Sequence, residues 1–90
     1  MSDIRIPHRL GREGARQRLG ALVARHGIAL QSSDGYRGTL EKALPLVGVA
    51  RAEFEIEETA LVVRIVQAPA FPSMETIRRK VAEELGKILG

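Results

Sequence analysis

The residue types that carry acid–base or nucleophilic chemistry are sparse here: His8, His26, eleven carboxylates, and serines at positions 2, 32, 33 and 73. The two histidines lack metal-ligand spacing, and a lone histidine near a helix C-terminus suits the local dipole. Glu53, Glu55 and Glu57 share one strand face. Arginines expected opposite them make that a solvated, charge-paired face instead of an acid–base centre. The serines fall near termini and turns with no base placed to activate them, and the glycines match neither a phosphate loop nor a dinucleotide fingerprint. Cysteine is absent, which removes a thiol nucleophile, a disulfide framework and a thiolate metal site. No catalytic centre, metal or cofactor is expected.

Binding chemistry is better represented. Six arginines and one acid lie between Arg5 and Arg25, whereas four glutamates lie between Glu53 and Glu58. Arg9, Arg12, Arg16 and Arg18 form a candidate anion or phosphate site, against the plainer reading of a solvated, arginine-rich helix. With Tyr36, Phe54 and Phe71 as the aromatic residues, little stacking platform exists for single-stranded nucleic acid. A second candidate is apolar. Leu44, Leu46 and Val47 lie in one connection, and Pro69, Phe71 and Pro72 lie in another at the same end of the expected sheet. Together they form a partner-binding patch, or they fold over the open end of the core. A third feature is the strip Gly14, Gln17, Gly20, Ala21 and Ala24, flanked by arginines, which either admits another backbone or is simply tolerated.

These side chains must be held by a small scaffold. Asp3 to Ile6 alternates and reads as a short peripheral strand stopped by Pro7. Residues 12–26 read as a helix with Ala15, Leu19, Leu22, Val23 and His26 on its core face, ended by Gly27. Strands follow at Ile28–Ser33, Tyr36–Ala43, Ala50–Glu57 and around Leu61–Ile65. A two-residue Asp34-Gly35 turn would pair Leu30 with Thr39. The apolar pattern instead requires Leu30 opposite Leu40, and face matching overrides turn length because a one-residue slip inverts a strand. Leu40 opposite Ala52 then sets Glu41 against Arg51 and Arg37 against Glu55, while Ile56 opposite Leu61 sets Glu53 against Arg64. Ser73 is an expected N-cap for a helix over Met74–Leu89. In that helix Met74, Ile77, Val81, Leu85, Ile88 and Leu89 form a stripe about 120° wide, and Arg79, Glu83 and Lys87 (with Lys80 and Glu84) form outward pairs.

The 90 residues suit one α+β domain, and 44% apolar with 28% charged residues is ordinary for a globular fold. No apolar run approaches the roughly 20 residues of a membrane helix, and Met1 to Pro7 lacks the apolar region of a secretory signal. A cytoplasmic location is expected.

The stretch Ile4-Arg5-Ile6-Pro7-His8-Arg9-Leu10-Gly11-Arg12-Glu13-Gly14-Ala15-Arg16 resembles the opening of the polyhydroxyalkanoic acid system proteins. Gly48–Ile65 and Pro72–Leu89 are similar to their later parts, whereas Ser73-Met74-Glu75 replaces a basic connector. The resemblance implies a non-catalytic accessory protein contacting a polyhydroxyalkanoate granule or a granule-associated protein. It supplies no catalytic residues. The element order β-α-β-β-β-β-α also resembles a reduced helix-grip fold, a curved antiparallel sheet packed on the C-terminal helix, with expected strand order 2-3-4-5-1. It resembles double-stranded-RNA-binding folds as well, which makes a basic RNA- or ribosome-binding module the alternative function. A homodimer through the small-residue strip or the apolar loops is a further expectation. Larger relatives of the helix-grip architecture enclose apolar ligands; ninety residues are expected to leave too little volume for a large cavity, so a small apolar-ligand carrier ranks behind the others.

Overall fold

A computed structural model describes residues 3–44, 46, 48–68 and 74–89. It contains β1 (Asp3–Pro7), α1 (Gly11–His26), β2 (Ala29–Ser32), β3 (Arg37–Leu44), β4 (Gly48–Ile56), β5 (Ala60–Gln67) and α2 (Met74–Leu89). The strands form one antiparallel sheet in the order β1-β5-β4-β3-β2, the expected 2-3-4-5-1 read from the other edge.

Apolar pairing sets the register. Leu30 faces Leu40, Leu40 faces Ala52 and Ile56 faces Leu61, as the face pattern requires. Ser32 pairs with Gly38, so residues 33–37 make a longer loop than Asp34-Gly35 alone would give. Asp34 stabilises that loop by accepting from the backbone amides of Tyr36 and Arg37. Gly38 is required by proximity: a Cβ there would run into the Gln31 carbonyl of β2. On the outer face Arg51 donates to Glu41 at 2.7 Å and Arg37 to Glu55 at 3.4 Å. Arg64 does lie opposite Glu53, but its guanidinium turns to Asp3 on β1, 2.9 Å away.

Both helices lie on the other face. Buried Ile4, Ile6, Phe54, Ile56, Leu61, Val63 and Ile65 of the sheet meet Ala15, Leu19, Leu22 and Val23 of α1 and Leu85 and Leu89 of α2. The i, i+4, i+7, i+8 spacing of the α1 residues gives that helix its seam. Gly27 closes it in the left-handed conformation, φ 65°, with its amide bonded to the Val23 carbonyl. Arg18 then donates to the Ile88 carbonyl of α2 at 3.0 Å, tying the two helices together.

Three details differ from the sequence reading. His26 is exposed at the end of α1, because the buried seam stops at Val23. Gly14 and Gly20 are half-buried, so the exposed strip reduces to Gln17, Ala21 and Ala24. On α2 the expected Lys80–Glu84 pair forms at 3.8 Å, but Lys87 also turns to Glu84 at 3.6 Å, and no Arg79–Glu83–Lys87 ladder occurs among the described residues. The Ser73 cap lies outside the described residues.

Candidate functional site

The inner face of β4 reads Ala50, Ala52, Phe54, Ile56. Its two large residues are buried among β5 and the helices; its two small ones are not. Above Ala50 and Ala52 the N-terminal half of α2 presents Ile77 and Val81, both half-buried, whereas Leu85 and Leu89 nearer its C-terminus are fully packed. Space therefore remains at one end of the layer. It is a cavity of about 600 Å³. The space is open-sided, and the small side chains of Ala50 and Ala52 leave more room than ninety residues were expected to give.

Leu40, Ala50, Ala52, Val63 and Ile65 form the cavity floor; Leu19, Leu22 and Val23 form one wall, and Ile77, Val81 and Leu85 the opposite one. Polar residues appear at its margin, where His26, Glu41, Lys42, Arg51, Thr76, Lys80 and Glu84 contribute. Lys42 donates to the His26 carbonyl and satisfies an acceptor at the negative end of α1. The volume falls within the roughly 300–1,000 Å³ of small-molecule sites, and an aliphatic lining with a few polar groups is their usual composition.

The apolar patch read from the sequence meets this cavity at one point. Leu44 lines it. Leu46, in the turn between β3 and β4, is fully exposed, at 105 % of a free side chain, and holds a left-handed φ of 71°. A leucine in that backbone conformation is uncommon. Val47, Pro69, Phe71 and Pro72 lie outside the described residues, as do Pro45 and Ala70.

The candidate anion site is distributed differently. The Arg12 guanidinium lies over the Tyr36 ring, 4.2 Å from its centroid. Arg16 is bonded through Nε to Glu13 at 3.1 Å, and Arg18 is bonded to Ile88. Arg9 is exposed and has no hydrogen bond or ion pair among the described residues. Three of the four cations thus brace α1 against the β2–β3 loop and α2. Glu13 joins this cluster by accepting from Arg16, from the Tyr36 hydroxyl at 2.9 Å and from Gln17. The Arg16 bond, followed by the Tyr36 bond, holds its carboxyl at about 2, well below the ordinary value.

The burial of His8, at 6 % exposure, is not signalled by the sequence. Its Nδ1 accepts from the Leu10 amide at 3.1 Å and its own amide donates to Thr59. That places the ring proton on Nε2, which has no partner among the described residues. The Pro7-His8 junction carries the chain from β1 into α1, a role that composition and spacing do not signal. No helix is long and apolar enough to cross a membrane among the described residues. No group of three potential metal ligands occurs there. No protein-family model, curated protein sequence or solved structure matches the chain.

Proposed function

We propose that this chain is a non-catalytic binding protein whose working part is the cavity between the sheet and α2, filled by a small, predominantly aliphatic molecule. The cavity itself carries the reading: about 600 Å³ walled by leucine, isoleucine, valine and alanine. Burying apolar ligand surface there is worth roughly 25 cal/mol per Å², enough for useful affinity from a single hydrocarbon chain. Leu46 near the β3–β4 end supports contact with the hydrophobic surface or partner from which such a molecule is drawn, and a polyester granule is one surface of that kind. Engagement of Arg12, Arg16 and Arg18 within the fold favours this reading over RNA or ribosome binding.

Native mass spectrometry of the purified protein tests the assignment. The expected result is a population heavier than the 9.8 kDa chain by the mass of one small molecule, extractable into organic solvent. A spectrum of bare chain only, unchanged after incubation with medium-chain aliphatic compounds, would reject it.

A further inference from the structure

The inner face of β3 runs Leu40, Lys42, Leu44, so a lysine stands among the residues that line the apolar cavity. Strand alternation assigns that position to the core side, where an ammonium is costly unless paired. No carboxylate among the described residues lies within ion-pair distance of Lys42, whose ammonium reaches the His26 carbonyl. The nearest acid in sequence, Glu41, also borders the cavity but is taken by Arg51. Across the cavity Lys80 stands on the same margin, and its carboxylate partner Glu84 is shared with Lys87. Lys42, Arg51 and Lys80 thus line the chamber together with Glu41 and Glu84, and Lys42 is the cation among them without a carboxylate partner among the described residues.

We infer that the ligand is a single-chain aliphatic carboxylate, its hydrocarbon in the cavity and its carboxylate received by Lys42 and Lys80 at the margin. The inference rests on the cavity being a ligand site and adds the chemistry of the head group. Charge complementarity argues for an anion, because Arg51 and Lys80 have carboxylate partners in Glu41 and Glu84 whereas Lys42 lacks a counter-charge of its own. The volume argues for one chain over the two of a phospholipid, since about 600 Å³ is mid-range for a small-molecule site. Lys42 exchanges a neutral carbonyl acceptor for an ionised one on binding, and charge-assisted hydrogen bonds are roughly twice as strong as neutral ones.

The test compares two probes of equal chain length, dodecanoate and dodecan-1-ol, titrated at neutral pH into the wild type and into Lys42→Met and Lys80→Met, with binding followed by NMR. Wild type is expected to prefer the carboxylate by about fivefold, the upper end of what a largely solvated charge pair contributes. That preference should fall to near unity in Lys42→Met and be reduced in Lys80→Met, while dodecan-1-ol binds all three alike. Equal affinity of wild type for both probes, or a preference unchanged in both variants, overturns the head-group assignment alone. Lys80 is on an exposed helix surface, so its variant keeps the comparison open if the strand substitution disturbs folding. Failure of both probes to bind wild type removes the cavity reading instead.

Discussion

Glu13 shows how a single exposed residue is enlisted to hold the first helix in place. It draws together Arg16 from its own helix and Tyr36 from the β2–β3 loop, and the tyrosine ring in turn lies under Arg12. Its folded-state value of about 2 lies below the ordinary 4.5, so the ionised form is the one the fold favours. The stabilisation it provides is complete above pH 4.5 and is lost as pH falls through about 2. NMR titration of the Glu13 carboxyl should give a midpoint near 2, and Tyr36→Phe should raise it toward the ordinary value by removing one donor. A midpoint unchanged by that substitution would place the whole effect on Arg16. The arginines were legible in the sequence as a cluster, but not as braces, because Tyr36 reaches them only through a loop whose length the turn residues understate. His26 was misread for a different reason: helical periodicity assigned it to the seam, one turn beyond the last buried residue of that helix, Val23.

At the scale of elements, the strands were the most legible part. Alternation in β3, β4 and β5 fixed their facing residues, and opposed charges at Glu41–Arg51 and Arg37–Glu55 agree with the same register. The helices were legible in extent but not in packing. The α2 stripe reads as one continuous buried face, yet only its Leu85–Leu89 end is fully buried among the described side chains, because a helical pattern records which side faces inward and not how far the neighbouring elements cover it. Glycine inside each helix offers a direct test of how much local propensity the fold forgoes. A Cβ added at Gly20 or Gly86 meets nothing within 4 Å. Each substitution to alanine should therefore stabilise the protein by about 0.5–1 kcal/mol, with unchanged NMR spectra away from the site. Urea denaturation measures this through a midpoint rising at constant slope; a loss of stability would show that the added methyl meets packing within the fold that leaves no room for it.

For the molecule as a whole, the division between a filled end and an open end matters more than any one residue. The Cα radius of gyration is 12.3 Å, close to the roughly 12 Å typical of 90 residues, so the cavity exists within ordinary compactness. Ala52→Leu should project into existing space, raise stability by about 1 kcal/mol and shift Tm upward by about 4–8 °C, while abolishing capture of a 12-carbon ligand. Such a gain in stability with a loss of binding is the signature of a cavity kept open for use; lower stability with binding retained would mean that the alanine is needed for packing. The closed end, built around Phe54, Ile56 and Leu61, carries the hydrophobic support that sets the strand order. The vacant end is consequently free to be re-cut. Exchanging Ala50, Ile77 or Val81 for larger or smaller aliphatics would shorten or lengthen the hydrocarbon accepted without touching the residues that make the chain fold, so one scaffold of this size can be retailored to a series of guests.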